Sequence, residues 1–277
     1  MIERFWLFHC GYARIPRFAV IEDGGWEWIR LPFLAGLAEH SEYGPVIVDA
    51  PFGHEGPANL GMAMGSFMQL AGLEFEVRWS IVARVEQLGF RPADVRHILM
   101  THLHYDHTGG MKSLAHAQFH VSSREWDYAT DGSLGGLAKS AYTQLDYRSL
   151  DKHTLRHDDV PHLADSQKGL DVLGDGSVEM FSLPGHSPGH CGYRIHLASG
   201  PAVFFAGDVA FTVDQIYERE GLGFFPRNVA TSKGGIEVSL RALRRHLGAQ
   251  DDRVITSHDI ELGRRCIEEG PQLYGEG

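Results

Sequence analysis

Cysteine is scarce in this sequence: three residues in 277, Cys10, Cys191 and Cys266, far apart and with no CxxC pair. An odd, dispersed set builds no disulfide framework and speaks for a reducing compartment. A chain of this length buries roughly three quarters of its unfolded surface, so it needs no covalent staple. Long apolar runs are missing as well. Nothing approaches the ~18 consecutive apolar residues of a membrane helix, so no membrane insertion is expected. The opening stretch MIERFWLFHCGYARIPR lacks the basic, apolar, small order of an export signal and reads as a first strand. The expected location is the cytoplasm. Positive charge is in deficit, 25 Lys and Arg against 36 Asp and Glu, for a formal net charge of −11. Phosphate-backbone affinity comes from clustered Lys and Arg, so nucleic acid is not an expected partner. There is no cysteine inside a motif, no internal repeat and no Pro/Ser linker.

What the chain has in excess is histidine, 17 residues, set among clear strand and helix signals. Leu7–Gly11 and Gly44–Phe52 read as strands, the second an almost continuous apolar run to Asp49. Between them Glu22–Ser41 shows no clean period and is expected to be irregular. The spacing of Ile81, Val82, Val85 and Leu88 predicts a helix over Glu76–Leu88, with Gly89 just past its end. Strands are expected at His97–Met100 and Gln118–Ser122. Residues 129–170 are polar and without sustained periodicity, and so long a stretch reads as a lid or partner surface. Strand patterns return at Val178–Leu183, Cys191–His196 and Ala202–Ala206. Ile236, Leu240, Leu243 and Leu247 place an apolar stripe on a helix over Gly235–Leu247, with Ser232 as N-cap. A last strand, Arg253–Thr256, precedes a C-terminal helix. Runs of strands with helices between them predict an α/β (α+β) architecture with helices on both outer faces, in one domain over 1–277.

The chemistry concentrates in Thr101-His102-Leu103-His104-Tyr105-Asp106-His107, directly after the apolar strand Ile98-Leu99-Met100. Three imidazoles and a carboxylate so close together are costly to bury unpaired, and the imidazoles repel one another when protonated. A divalent cation resolves both problems, because neutral imidazole and ionised carboxylate are its preferred ligands. If residues 102–104 are extended, His102 and His104 point the same way and can chelate one ion. A turn at Tyr105 would send Asp106 and His107 towards a second. Three further sites, each after a strand signal, offer the remaining donors: Pro184-Gly185-His186-Ser187-Pro188-Gly189-His190, Gly207-Asp208 and His258-Asp259.

In this order the motifs resemble the metallo-β-lactamase superfamily, whose signature is HxHxDH followed by a separate His, an Asp and a last His. The resemblance spans the whole chain and implies an αββα four-layer sandwich with its site along one edge of two sheets. It implies that His102, His104 and His186 hold a first metal and that Asp106, His107 and His258 hold a second. Asp208 would bridge the two. Two divalent ions are implied, zinc first, with manganese, iron or cobalt also able to occupy such a site. They would hold a hydroxide between them, and Asp106 would pass its proton to the leaving group. Asp49, at the end of its strand, matches a carboxylate that orients a histidine ligand. His190 is assigned a structural role, and His153, His157 and His162 are read as solvated. His9, His54, His97, His116, His120, His196 and His246 receive none.

The segment layout further resembles the N-acyl homoserine lactonase branch, the quorum-quenching lactonases. The resemblance rests on Leu31-Pro32-Phe33, GPVIVDAPFG, a Gly/Met/Phe-rich insertion over Gly61–Phe75, RPADVRHILMTHLHYDHTGG and the closing HDIE at 258–261. It implies a small amphiphilic lactone as substrate, opened by water to the N-acyl homoserine, with the insertion and Tyr105 forming an apolar acyl-chain channel. One position departs from the pattern. Typical members carry a tyrosine three residues after the bridging Asp, where it donates to the lactone carbonyl; here Phe211 stands and cannot donate. Tyr105, Tyr217 or another group must take over, or the substrate differs. A glyoxalase-II-like thioesterase is the nearest rival, but it would need a basic patch in a C-terminal extension for which the short stretch after His258 leaves little room. A metal-stabilised binding protein for acylated signals is the non-enzyme alternative, and it would need no bridging carboxylate. The apolar Leu31–Leu37 and Gly61–Leu73 stretches suit either a pocket wall or a homodimer surface.

Overall fold

The computed structural model describes residues 1–57, 59–60, 65–66, 69–131 and 137–275. Its strands are β1 (Ile2–Pro16), β2 (Trp28–His40), β3 (Gly44–Val48), β4 (His97–Leu99), β5 (Gln118–Ser122), β6 (Thr154–His157), β7 (Leu170–Asp171), β8 (Val178–Ser182), β9 (Cys191–Ile195), β10 (Val203–Phe205), β11 (Arg253–Ile255) and β12 (Gln272–Tyr274). Among the described residues they form two sheets, in the orders β12-β1-β2-β3-β4-β5-β6 and β11-β10-β9-β8-β7. Strands β3 to β6 run parallel to one another, as do β10 and β11.

Alternation along the strands sorts the side chains into layers. Phe5, Leu7, Leu34, Val46, Val48 and Leu99 of the first sheet meet Val178, Met180, Tyr193, Val203 and Phe205 of the second in a buried inter-sheet core. The opposite face of the first sheet, with Phe8, Ile47, Ile98, Phe119 and Val121, packs against Ile81 and Val85 of the helix Ile81–Gln87 and against Trp126. Outside the second sheet, Phe181 and Phe204 receive Ile236, Leu240, Leu243 and Leu247 from the helix Lys233–Ala249, which is capped by Ser232 as its sequence predicts. Helix, sheet, sheet, helix is the four-layer order expected.

Three expectations need correction. The stretch expected to be irregular, Glu22–Ser41, contains β2, a central strand of thirteen residues. It is buried on both faces over Leu31–Ala38, so its sequence shows a continuous apolar run rather than alternation. Gly36 sits in it because Phe5 crosses there: a Cβ at 36 would fall 2.3 Å from the Phe5 ring. The buried Leu31–Leu37 is therefore core and cavity wall and not a dimer surface. The helix expected over Glu76–Leu88 is a 3₁₀ turn, Val77–Trp79, followed by Ile81–Gln87, because the Ser80 hydroxyl caps the latter by accepting from Ala83 N–H. Within 129–170, the short helix Gln144–Tyr147, a 3₁₀ stretch and strand β6 extend the first sheet, with Tyr147 and Leu150 buried, so this part is scaffold and not a lid. Of the Gly61–Phe75 insertion, positions 61–64 and 67–68 lie outside the described residues. No helix among the described residues is long and apolar enough to cross a membrane.

Candidate metal centre

Every chemistry-bearing segment leaves the C-terminal end of a strand at the same edge of the sandwich. Asp49 follows β3, Thr101–His107 follows β4, His186 follows β8, Asp208 follows β10 and His258 follows β11. Backbone hydrogen bonds stitch the two sheets together there: Cys191 N–H donates to Thr101 O, and Leu34 N–H to Ser257 O. The Tyr193 hydroxyl reaches across to Met100 O. Two glycines allow the loops to come this close. A Cβ at Gly185 (φ +141°) would fall 2.2 Å from Ile236 N, and one at Gly207 (φ +58°) 2.6 Å from the His190 ring.

The seven donors converge in three overlapping groups: His102, His104 and His186; His102, His107 and Asp208; and Asp106, His107 and His258, each with ligand atoms within 4.8 Å of one another. His186 Nε2 lies 3.0 Å from His104 Nδ1. The Asp208 carboxylate reaches both halves of the cluster, with Oδ2 at 3.4 Å from His186 Nε2 and 3.1 Å from His258 Nε2, and Oδ1 at 3.5 Å from His107 Nε2. Asp106 Oδ2 is 3.5 Å from His258 Nε2. All but Asp106 are buried, and Asp106 opens to the cavity above.

Supporting groups fix the tautomers. His107 donates Nδ1–H to Asp49 Oδ2 at 2.7 Å, and the same carboxylate accepts Thr101 N–H and the Thr101 hydroxyl, both at 2.8 Å. His258 donates Nδ1–H to Pro32 O at 2.8 Å. Each bond leaves Nε2 facing the cluster, the atom that would bind a metal in place of its proton. Asp49 itself takes φ +58°, an unusual backbone for a non-glycine residue, which aims its carboxylate back at Thr101 and His107. His190 Nδ1–H donates to Leu183 O while its Nε2 accepts Asp208 N–H, so it orients the loop that carries Asp208, the structural role expected of it.

The electrostatics suit a cation. Burial and the neighbouring imidazoles hold His102 and His104 well below the usual histidine range, and burial brings His186 to about 3. Those rings are neutral donors. Burial raises the Asp106 carboxyl, while at Asp208 burial is overcome by His258 and His107, whose own rings are raised by the carboxylates beside them; a divalent cation would supply the positive charge those protons provide. His102 Nε2, His107 Nε2 and Asp208 Oδ1 have no hydrogen-bond partner among the described residues. Such orphaned buried atoms cost about 1–3 kcal/mol each unless something binds them. The donor set, imidazole and carboxylate with one oxygen shared between two groups, fits divalent metal.

Above the cluster opens a cavity of about 550 Å³. His104, Asp106, His186, Asp208 and His258 form its floor, and its walls are almost wholly apolar. Ala13 and Ile15 of β1 and Leu31 and Phe33 of β2 make one wall; Phe224, Phe225 and Val229 of the helix Phe224–Val229 face them. The exposed Trp28, Leu70 and Phe224 stand at its outer end. Phe211 is buried against the His258 ring at 4.6 Å and lines the floor. Tyr105 also borders the cavity, whereas Tyr217 lies outside it, exposed and stacked under Arg219. His153 is exposed, but His157 and His120 share a 3.1 Å hydrogen bond, so His157 is not simply solvated. Sequence reasoning missed the Phe224–Val229 wall and one further carboxylate, Glu125. That residue is wholly buried yet lies in the polar stretch Ser123–Asp127, where only its place in a capped first turn marked it.

Known proteins resemble this chain in sequence and share its fold. Residues 69–258 match the family model described as the metallo-beta-lactamase superfamily. Over 195 residues, 70% of this chain and 68% of the relative, the sequence is 31% identical to the N-acyl homoserine lactonase AttM of Agrobacterium fabrum. A solved N-acyl homoserine lactone hydrolase with N-hexanoyl-L-homoserine bound at its catalytic metal centre superposes with a TM-score of 0.74 at 19% identity, covering 96% of this chain and 97% of that one. AidC, a dizinc quorum-quenching lactonase in complex with its product, superposes with a TM-score of 0.64 at 15% identity, over 92% and 87% of the two chains. At those identities the two structures speak for the fold.

Proposed function

The chain belongs to the metallo-beta-lactamase superfamily, and from that premise we propose that it is a dinuclear metal-dependent hydrolase opening the lactone ring of N-acyl homoserine lactones. The observation that carries the reading is the pairing of a polar floor with apolar walls in one cavity. A polar ring with an acyl tail is the chemistry such a cavity accepts. His102, His104 and His186 would hold one ion, Asp106, His107 and His258 the other, with Asp208 shared and Asp49 orienting His107. When bound, two divalent ions, zinc on the precedent of AidC, supply carbonyl polarisation and an activated water at neutral pH.

The remaining work falls to the chain. Water adds to the ring carbonyl carbon, the bond from that carbon to the ring oxygen breaks, and the products are an alcohol and a carboxylic acid, which gives up its proton to solvent as a carboxylate. The Asp106 carboxylate, on the cavity floor, accepts the proton that the attacking water loses and returns it to the departing ring oxygen. Phe211 closes the floor beside His258 and keeps bulk water from it. Tyr105 is the one tyrosine bordering this cavity among the described residues, so we assign it the hydroxyl that donates to the lactone carbonyl. The apolar walls hold the acyl chain. Three buried, unpaired cysteines suit a reducing cytoplasm, where the reaction would remove a diffusible signal and quench quorum sensing.

The test is a turnover screen of acylated homoserine lactones, thioesters and phosphodiesters, with metal content measured on the same sample. Lactones are expected to lead, and His104→Ala and Asp208→Asn to abolish turnover. Thioesters leading by tenfold or more would reassign the substrate class, and binding of lactone with no turnover under any metal would replace the enzyme by a binding protein.

A further inference from the structure

Glu125 sits in the first turn of the helix Ser123–Thr130, fully buried, with no place in the proposed ligand set. Its carboxylate accepts four hydrogen bonds. Oε1 takes Leu103 N–H at 3.0 Å and the Tyr142 hydroxyl at 2.9 Å; Oε2 takes the Ser187 hydroxyl at 2.6 Å and Gly189 N–H at 3.1 Å. An ionised carboxylate has about four acceptor positions, so all are used.

The sequence positions of those donors give the arrangement its meaning. Leu103 lies between His102 and His104, and fixing its peptide N–H fixes the backbone from which both imidazoles project. Ser187 follows His186, and Gly189 closes the same loop. Tyr142 sets its ring edge-on to His104, with centroids 4.6 Å apart. The backbone repeats the connection: the Ser122 hydroxyl, which caps Glu125 N–H, also donates to Gly189 O at 2.7 Å. A Cβ at Gly189 would fall 2.1 Å from Glu125 N, so the second glycine of PGHSPGH is the space that lets this helix turn meet the loop. None of these contacts reaches Asp106, His107 or His258; His107 is held instead through Asp49 and His258 through Pro32.

We propose that Glu125 is a positioning residue for one of the two metal positions: a buried carboxylate that locks the His102–His104 segment and the His186 loop into a single three-histidine donor set, without acting on the other position. The inference rests on the two-ion reading above. Replacing Glu125 by Gln keeps the shape but turns the acceptor positions of one oxygen into N–H donors, which face Leu103 N–H and the Tyr142 hydroxyl or Gly189 N–H and the Ser187 hydroxyl; a hydroxyl can turn to accept, but the peptide N–H cannot, so that loop must part.

The experiment is stepwise Co²⁺ and Zn²⁺ titration of the full-length apoprotein against a competing chelator, with the cobalt visible spectrum recorded at each equivalent. Circular dichroism of each variant checks that it is folded. For Glu125→Gln, one equivalent is expected to weaken about 10–100-fold with an altered cobalt spectrum, while the other keeps the parent affinity. Tyr142→Phe and Ser187→Ala, which remove one donor each, should shift the same equivalent in the same direction by a smaller factor, and they serve if Glu125→Gln does not fold. Parent-like binding of both equivalents in a folded variant would overturn the proposal, and so would equal weakening of both. If the parent itself binds a single equivalent, the two-ion reading fails separately. The Glu125 assignment then stands only if that equivalent is weakened in the variants.

Discussion

Asp49 illustrates how much one side chain outside the ligand set can decide. It accepts from His107 and twice from Thr101 while buried completely, so it fixes both the tautomer of a proposed ligand and the start of the segment that carries it. Asp49→Asn leaves the size unchanged but can present an N–H where His107 also donates. We expect metal affinity to fall roughly 10–100-fold, read by chelator competition. An unchanged affinity would mean that His107 is oriented by the fold alone. Tyr105 is the second test at this scale. If its phenol donates to the lactone carbonyl as bond order changes there, Tyr105→Phe lowers kcat by about 10²–10³ and leaves KM near the parent value. A loss confined to KM would assign the ring to packing against substrate instead.

Short elements are held by their ends, and the C-terminal helix shows how. Asp259 caps Ile260–Glu268 by accepting from Leu262 N–H at 2.8 Å, and its other oxygen accepts Val213 N–H at 2.8 Å, tying the helix Val213–Ile216 to the residue after His258. Asp259→Ala should cost about 1–2 kcal/mol in urea unfolding of the apoprotein. The HxHxDH segment was legible in the sequence because its donors are neighbours in the chain, and the strands before each ligand were legible because each is a compact apolar run. Strand β2 was not: burial on both faces erased alternation, and Pro32 and Gly36 resembled loop residues. Glu125 was hidden for a different reason. Its partners are at 103, 142, 187 and 189, and no local pattern announces a contact among positions so far apart. The same holds for the cavity wall at Phe224–Val229, whose apolar residues face a strand some two hundred positions away, a distance only the fold collapses.

Across the whole molecule, a histidine buried uncharged lowers stability as the pH falls. His9, outside the candidate metal-binding groups and packed on Trp79, is brought to about 3 by burial, with Arg84 and Arg78 adding to the effect. The unfolded chain binds a proton near 6.5 and the folded one does not, so the stabilisation is complete above that pH and is lost progressively as pH falls from about 6.5 towards 3. Between pH 7 and 5 one such group costs about 2 kcal/mol. Urea unfolding of the apoprotein at the two pH values should therefore show a smaller difference for His9→Gln than for the parent by about that amount. Equal differences would remove His9 from the account.

The floor of the cavity grows from strand ends inside the sandwich, whereas its walls come from Ala13–Pro16, Leu31, Phe33 and Phe224–Val229, segments that hold none of the seven donors. Reactivity and selectivity thus occupy separate tracts of the gene. Natural drift, or a mutagenesis library confined to the wall codons, is free to resize the acceptable acyl tail while every proposed ion-binding group stays untouched.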